Sequence, residues 1–368
     1  KTPYSFDVSV WEFLWPLAVG AAVVFAKPNG QRDPFYLENL IQSAKITTLH
    51  FVPSMLRVYI NTIMTTRTQS GPTICEKANT TSTDNANCTV RQIFCSGEAL
   101  TTNCLKNFGK CFPGTRLYNL YGPTEATIDV TFQDCTENIR RNSLSLGKHS
   151  KQAPVALSHS LSIGKPINNM KIYILESESH GLLPIGVAGE LHIAGVGLAR
   201  GYLNREELTA EKFVVNPFSS KSDGRTNLMY KTGDLACWLP DGRIEYLGRN
   251  DDQVKIRGNR IELDEISARL SEHECVQDAV VVVVKNHDQT TPGDDGQTVL
   301  AALYTSPAEW IYALEGDVRR KILPFLIKSL PEFMVPQLLM RIDCIPLTPS
   351  GKADRRELER TVSETLQT

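Results

Sequence analysis

Residues 119–129 read NLYGPTEATID, an apolar strand-like segment that stops at a glycine–proline turn and continues with acidic residues. The segment before the turn is typical of a β-strand, and glycine and proline end it because they interrupt regular structure. Thr124 is a common helix cap, so the simplest interpretation is a strand-to-helix connection. The carboxylates of Glu125 and Asp129 follow directly after the strand, which makes them candidates for a ligand site.

Upstream of this turn, helical and strand-like periods alternate from residue 7 to residue 129. Strands that alternate with helices of about ten residues predict a largely parallel sheet with helices on its faces, an α/β fold. Ligands of such sheets bind at the carboxyl ends of the strands. The segments, in chain order, are the helical VWEFLWPL, the apolar AAVVFA, a helix over residues 33–44, the strand ITTLHFV, the helix SMLRVYINTI, the strand RQIFCSG, the helix TTNCLKNFGKCF and the strand TRLYNLYG.

Downstream of the turn, the pattern changes twice. After residue 163, short strands and glycine turns predict an antiparallel meander or small barrel, and from about residue 252 a new pattern predicts an α+β unit. We therefore predict two domains, separated by a charged stretch. The large one covers residues 1–250, with α/β layers to about 135 and the meander from about 160, and a small mobile one covers residues 251–368. Two polar stretches, 70–89 and 138–160, predict mobile surface insertions.

The composition argues against several classes of protein. The 368 residues carry a formal charge of −2, so no basic field attracts nucleic acid or anionic lipid. Nine cysteines without C-x-x-C pairs indicate reduced, mostly buried thiols and no zinc site. The longest apolar run, residues 13–26, is shorter than the roughly 20 residues that span a bilayer. We expect a cytoplasmic protein that binds neither nucleic acid nor membrane.

Polar clusters flanked by glycine or proline recur along the chain. Each alone is an ordinary turn or solvated face, but their joint order is specific. They are FDVSVWE at 6, YGPTE at 121, GELHIAGVGLARGYL at 189, YKTGDL at 230, GRNDDQVKIRGNRIEL at 248, LPEFMVP at 330 and PSGKADRREL at 349. In this order and spacing, the chain resembles the adenylation domains of nonribosomal peptide synthetases, relatives of acyl-CoA synthetases and firefly luciferase.

The resemblance implies a two-step ligase. An amino acid attacks the α-phosphate of ATP in the presence of Mg²⁺, and the acyl group then passes to the phosphopantetheine thiol of a peptidyl carrier protein domain. A carrier domain, and with it a condensation domain, is therefore expected in the same polypeptide. Chemistry of this kind depends mostly on positioning and charge neutralisation.

The same resemblance assigns the nucleotide site. Tyr121 would stack on adenine with Asn119 near its exocyclic amine, and Thr124 and Glu125 would hold the α-phosphate and Mg²⁺. A carboxylate suits Mg²⁺ because this ion prefers oxygen ligands. The other assignments are Gly97 at the nucleotide, Asp234 on the ribose hydroxyls, Tyr246 against the nucleoside, Arg249 near the ribose and phosphate, Asp251 as the hinge of the small domain, and Lys352 as the mobile lysine that neutralises the adenylate.

Periodicity adds to the resemblance in the amino-acid pocket. Asp7 and Trp11 are four apart on a predicted helix, and Phe94 and Ser96 are two apart on a predicted strand, so each pair shares a face. The family's pocket positions fall on Asp7, Val8, Trp11, His50, Phe94, Ser96, Leu120, Ile128, Asp129 and Lys352.

This set predicts a short substrate side chain with a hydroxyl group. Asp7 would pair with the α-ammonium, although it could also be a helix cap. Large side chains fill the pocket, and His50 and Asp129 would be left without partners unless the substrate is polar. The set also resembles the family's serine signature, so L-serine is the predicted substrate, with threonine the nearest rival.

Two other classes stay open. An acid–CoA ligase would have no ammonium for Asp7 to bind, and a non-catalytic scaffold would have no use for Glu125, Asp234 and Lys352. The family's phosphate-binding loop is expected upstream of Phe6 and is absent from this sequence. We therefore expect the chain by itself to be inactive or weak in adenylation.

Overall fold

The computed structural model divides the chain into two compact units, residues 1–251 and 252–368. Lys352, predicted to be the mobile lysine, lies outside the described residues. Most of the two polar stretches, predicted to be surface insertions, lies outside them as well. The structure describes residues 2–70, 89–137, 139, 161–177, 179–219, 227–251, 253–286, 297–310, 312–348 and 353–367.

The first sheet of the first unit is mixed. Its strands lie in chain order, β1 to β5. The first three are parallel to one another, β4 is antiparallel to β3, and β5 is antiparallel to β4. The predicted α/β class is confirmed. The apolar segment 21–26 forms no strand, and Phe25 within it is exposed. The strands are β1 (Thr48–Phe51), β2 (Gln92–Cys95), β3 (Arg116–Tyr121), β4 (Thr131–Asp134) and β5 (Lys165–Pro166).

Helices α1 (Ser9–Ala18) and α2 (Pro34–Ser43) precede β1, α3 (Pro53–Ser70) connects β1 to β2, and α4 (Thr102–Cys111) connects β2 to β3. Asp33 shows how the sequence starts one of them, since its carboxylate accepts hydrogen bonds from the backbone N–H groups of Phe35 and Tyr36. Helices α2, α3 and α4 bury apolar side chains in one core with the strands, around residues such as Phe51, Leu56, Ile93, Phe108 and Leu117. No described helix combines the length and apolar character needed to cross a membrane.

The second sheet of the same unit is the predicted antiparallel meander. Its order is β10–β9–β7–β6, with β8 also paired to β9. A short helix, α5 (Glu206–Lys212), connects β7 to β8, and a register shift bends β10 between Tyr246 and Gly248. The strands are β6 (Met170–Leu175), β7 (Gly189–Gly195), β8 (Phe213–Val215), β9 (Leu228–Trp238) and β10 (Ile244–Arg249).

The second unit has its own sheet and two cores. A hairpin of β11 (Gln253–Ile256) and β12 (Asn259–Glu262) precedes a sheet in which β14 pairs antiparallel with β13 and parallel with β15. One hydrophobic cluster includes Ile266 and Ile322, and another includes Val282 and Leu358. The other elements are α6 (Leu263–Ser271), β13 (Asp278–Asn286), β14 (Gln297–Thr305), α7 (Glu315–Ser329), β15 (Leu338–Arg341) and α8 (Arg355–Gln367).

His192 is a buried histidine of β7. Its Nδ1 donates to the Glu190 carbonyl oxygen at 3.1 Å, and its Nε2 has no hydrogen-bond partner among the described residues. Burial lowers the pKa of the imidazole below its ordinary value, Lys231 and His180 add to the shift, and Glu190 opposes it. The folded state therefore binds this proton more weakly than the unfolded state. The contribution of neutral His192 to the free energy of unfolding is fully present above a pH of about 6.5, the pKa of the unfolded state. It is lost as the pH falls through the lower pKa of the folded state.

We expect the free energy of unfolding to decrease as the pH is lowered below about 6.5, and to decrease less in His192→Leu. Urea denaturation at a series of pH values measures both slopes. His180→Gln, which changes the exposed neighbouring ring, serves as the control. Equal slopes in the wild type and His192→Leu would show that this group does not carry the effect.

Candidate functional site

Four of the residues predicted for the amino-acid pocket, Trp11, His50, Phe94 and Ser96, lie together on one face of the first sheet. In the strand register His50 lies beside Phe94, and Phe94 lies beside Tyr118, so the three side chains form a row across β1, β2 and β3. Trp11 of α1 packs on this row, with its ring centroid 5.2 Å from that of His50 and 6.0 Å from that of Phe94. Ser96, two residues beyond Phe94, continues the same face.

Asp7 lies before α1 rather than on it, because the helix begins at Ser9 with Val8 as its cap residue. The Asp7 carboxylate accepts the Val8 backbone N–H at 2.7 Å and the Thr124 hydroxyl at 2.5 Å. Neither contact is the bond to the second or third helical N–H group that defines a helix cap. Asp7 thus connects the start of α1 to the YGPTE turn, which lies 117 residues further along the chain.

His50 contacts a polar chain that sequence reasoning missed. Its Nε2 lies 2.9 Å from Ser96 Oγ, and its Nδ1 lies 3.2 Å from Glu12 Oε1. Both ring nitrogens therefore have partners within the protein, contrary to the expectation that the substrate must supply one. The signal for Glu12 was present, since it is the only charged residue in the α1 sequence SVWEFLWPLA.

A cleft of about 420 Å³ opens beside this face. Three predicted pocket residues, Trp11, Ile128 and Asp129, line this cleft. The indole N–H of Trp11 is buried and has no hydrogen-bond partner among the described residues. The other lining residues are Val10, Leu14, Trp15, Ala18 and Thr127. A larger cavity of about 530 Å³ near Arg243 contains none of the predicted residues.

The YGPTE turn holds a strained backbone beside the cleft. A Cβ atom on Gly122 would lie 2.3 Å from the Ile128 carbonyl oxygen, so only glycine fits there. Thr127 and Ile128 both have positive φ, 62° and 81°, which is rare for β-branched residues. Strain of this kind persists where surrounding contacts hold it in place, and it is concentrated at functional sites.

Glu125 lies within this turn, in the short 3₁₀ segment Thr124–Ala126, and is buried. The Tyr202 hydroxyl donates to its Oε1 at 2.7 Å, and the Ala199 N–H donates to its carbonyl oxygen at 2.8 Å. Burial raises the pKa of Tyr202. The motif GELHIAGVGLARGYL therefore supports the turn from the second sheet.

Tyr121, Asp234 and Arg249 form a buried network at the end of β3. The Tyr121 hydroxyl donates to Asp234 Oδ2, and Arg249 Nη1 donates to Asp234 Oδ1 at 2.7 Å. Arg249 also donates to both carboxylate oxygens of Asp251 at 2.6 Å. Burial, then the charge of Asp234, raises the pKa of Tyr121, and the same two causes raise that of Tyr246, whose ring centroid lies 6.1 Å away.

The remaining predicted residues are placed as follows. Asn119 is buried, and its amide donates to the Ser162 carbonyl oxygen at 3.0 Å. Gly97 follows β2 with a φ of 89°, a conformation that suits glycine. Val8 and Leu120 are half-buried, and Lys352 lies outside the described residues. Tyr121, Asp234, Tyr246 and Arg249 thus lie together as one group, and Trp11, His50, Phe94 and Ser96 as another. Asp7 contacts Thr124.

The donor set fits a magnesium nucleotide. Glu125 and Thr124 offer only oxygen atoms, and Mg²⁺ is usually held by one or two carboxylates together with water and substrate phosphates. A cage of protein ligands is not required for that mode of binding. Among the described residues, no three or more histidine, cysteine, aspartate or glutamate side chains are grouped so that they could hold a metal ion.

Comparison with known proteins agrees with this geometry. The profile of the family described as AMP-binding enzyme matches residues 1–203. Tyrocidine synthase 3 of Brevibacillus parabrevis is 42% identical over 358 residues, which cover 97% of this chain and 5% of that protein. The chain therefore spans a small fraction of this curated relative.

Solved structures show the same fold. An NRPS protein containing adenylation and PCP domains has a TM-score of 0.68 at 24% identity, with 98% of this chain and 52% of that chain covered. The adenylation domain AlmE of Vibrio cholerae has a TM-score of 0.70 at 22% identity, with 99% and 58% covered. From the matched profile, the chain belongs to the AMP-binding enzyme family.

Proposed function

We propose that this chain activates L-serine as seryl-AMP and passes the seryl group to a carrier domain. In the first step a carboxylate oxygen of serine attacks the α-phosphorus of ATP, the bond to the β-phosphate oxygen breaks, and pyrophosphate leaves. In the second step the carrier thiol attacks the acyl carbon and AMP leaves. The observation that carries the proposal is the contact between Asp7 and Thr124, because it joins the residue proposed to bind the ammonium to the turn proposed to bind the phosphate.

The nucleotide would be held by the network on β3, β9 and β10. Tyr121 and Tyr246 would border the base and nucleoside with Asn119 and Gly97 nearby, and Asp234 would accept the ribose hydroxyls. The Asp234 carboxylate already accepts a hydrogen bond from Arg249 at 2.7 Å, and its oxygen atoms are the kind of acceptor that ribose hydroxyls require.

Thr124 and Glu125 would bind the α-phosphate and Mg²⁺, and a bound Mg²⁺ would neutralise phosphate charge. Lys352 would add a further cation from the second unit, with Asp251 as the hinge between the two half-reactions.

The pocket supports a small hydroxylated substrate. Trp11 and Phe94, whose rings are in contact, would fill volume together with Leu120, and Ser96 and Asp129 would supply polar atoms. Val8, His50 and Ile128 complete the set that resembles the family's serine signature. Threonine would have to place an extra methyl group against Trp11 or Phe94, which disfavours it. A small substrate also agrees with the glycyl-adenosine-5'-phosphate found in AlmE.

The carrier is expected in the same polypeptide. One structural neighbour combines adenylation and PCP domains, and the chain covers only a small share of its curated relative. We propose that a carrier bearing phosphopantetheine, together with a condensation domain, belongs to this synthetase.

An amino-acid panel in an ATP–pyrophosphate exchange assay on the full-length synthetase tests the proposal. L-serine is expected to give the highest exchange, with L-threonine, L-alanine and glycine well below it. Exchange that depends on a carboxylic acid without an amine would instead favour an acid–CoA ligase. If a folded full-length protein shows no exchange with any substrate, the result would favour the hypothesis of a non-catalytic scaffold.

A further inference from the structure

Glu12 collects several hydrogen-bond donors at one carboxylate. Its Oε2 accepts the Thr2 backbone N–H at 3.0 Å, and its Oε1 accepts the Thr2 hydroxyl at 2.7 Å. His50 Nδ1 lies 3.2 Å from the same Oε1. An ionised carboxylate has lone pairs but no hydrogen to donate. The contact with His50 is therefore a hydrogen bond only if Nδ1 carries the proton.

This proton position determines what the other side of the ring does. A neutral imidazole with a proton on Nδ1 has an acceptor at Nε2. Ser96 Oγ lies 2.9 Å from that nitrogen, and both side chains are buried. The Ser96 hydroxyl therefore donates to His50, which donates to Glu12. Because its hydrogen is directed to His50, the Ser96 hydroxyl can only accept a hydrogen bond from a ligand.

We propose that Glu12 is a positioning residue for substrate selection: it fixes the His50 tautomer, so that Ser96 Oγ accepts a hydrogen bond from the hydroxyl group of the substrate. The proposal rests on the proposed function, since it assigns the group that recognises the serine side chain. It also replaces the sequence-based idea that His50 itself meets the hydroxyl. Ser96 follows Phe94 on β2, the residue whose ring contacts Trp11.

Without Glu12 the imidazole would lose the contact that orders it. The ring could then rotate or carry its proton on Nε2, and the Ser96 hydroxyl would no longer have a single fixed orientation. Part of the binding energy of the substrate hydroxyl would be used to order these groups. Selection between L-serine and L-alanine, which differ only in this hydroxyl, should weaken.

The test uses the full-length synthetase at about pH 8, more than one unit above the ordinary imidazole pKa of about 6.5. The variants are Glu12→Gln and Glu12→Ala. The matched control is Glu38→Gln, because Glu38 is a half-buried carboxylate of α2 that accepts hydrogen bonds from Tyr59 and Gln42 outside the pocket. ATP–pyrophosphate exchange gives kcat and KM for L-serine, for L-alanine and for ATP.

Both Glu12 variants are expected to raise the KM for L-serine and to lower the serine-to-alanine ratio of kcat/KM by about tenfold or more, the effect of one hydrogen bond. The KM for ATP should change by less than about twofold, and Glu38→Gln should leave the ratio intact. A purely structural role of Glu12 would instead reduce activity with serine and alanine alike.

Ser96→Ala provides a second readout that leaves Glu12 in place. It should lower the serine-to-alanine ratio at least as far, and the double variant Glu12→Gln/Ser96→Ala should show the ratio of Ser96→Ala alone, since both act through one chain of hydrogen bonds. An unchanged ratio in the Glu12 variants, or additive losses in the double variant, would overturn the inference while serine activation stands. A wild-type enzyme that does not prefer serine over alanine would overturn the substrate assignment and this inference together.

Discussion

Replacing Asp7 by alanine is expected to lower kcat/KM for the amino acid by roughly 30-fold to several thousand-fold, which corresponds to about 2–5 kcal/mol for truncating one partner of a desolvated charge pair. The α-ammonium of the substrate would lose its counter-charge, and the Thr124 hydroxyl would lose its acceptor. ATP–pyrophosphate exchange on the full-length synthetase measures the change. The KM for ATP should rise much less than the KM for the amino acid.

Two variants distinguish this effect from general damage. Asp7→Asn keeps the shape and an acceptor for Thr124 but removes the charge, so it should lose most of the same activity. Asp33→Ala removes the cap of α2 and should cost about 0.5–2 kcal/mol of stability with no change in selection for an amine. Asp7→Ala with exchange activity within about threefold of the wild type would disprove an ammonium anchor at this position.

Replacing Arg249 by methionine is expected to reduce the stability of the first unit by about 3–5 kcal/mol and to weaken ATP binding. The change keeps most of the side-chain stem but leaves the Asp234 carboxylate, 4% exposed, without its guanidinium partner. It also removes a hydrogen bond of 3.0 Å to the Thr232 carbonyl oxygen. Urea denaturation followed by circular dichroism measures the stability, and exchange kinetics give the KM for ATP.

A second substitution should rescue part of this loss. In Arg249→Met/Asp234→Asn the uncompensated charge is gone, so stability is expected to recover while ATP binding stays weak, because the proposed acceptor of the ribose hydroxyls is altered. Arg243→Met, which breaks an exposed ion pair with Asp241, is the matched control and should leave stability unchanged. Equal denaturation midpoints for Arg249→Met and Arg243→Met would contradict the role given to the buried pair.

The layered architecture was predictable because its signals are local. Alternating helical and strand periods, and residues such as Asp33 and Pro34 at the start of α2, act over a few neighbouring positions. The direction of β4 and β5 was not predictable in this way, since pairing depends on partners distant in sequence. The secondary structure of the apolar segment 21–26 was ambiguous for a related reason. An apolar segment forms a strand only where another strand lies beside it to pair with, and composition does not reveal such a partner.

For the site, the sequence by itself determined the residue types, their order and the membership of the family, since motifs such as YGPTE and KTGDL are contiguous. The tertiary structure alone decided which of these residues meet. His50 contacts Glu12 across 38 positions and Ser96 across 46, so no short-range pattern shows that its two nitrogens are engaged. Such contacts follow from strand register and from the seating of α1 on the sheet, which are set by packing of the whole unit and not by local propensity.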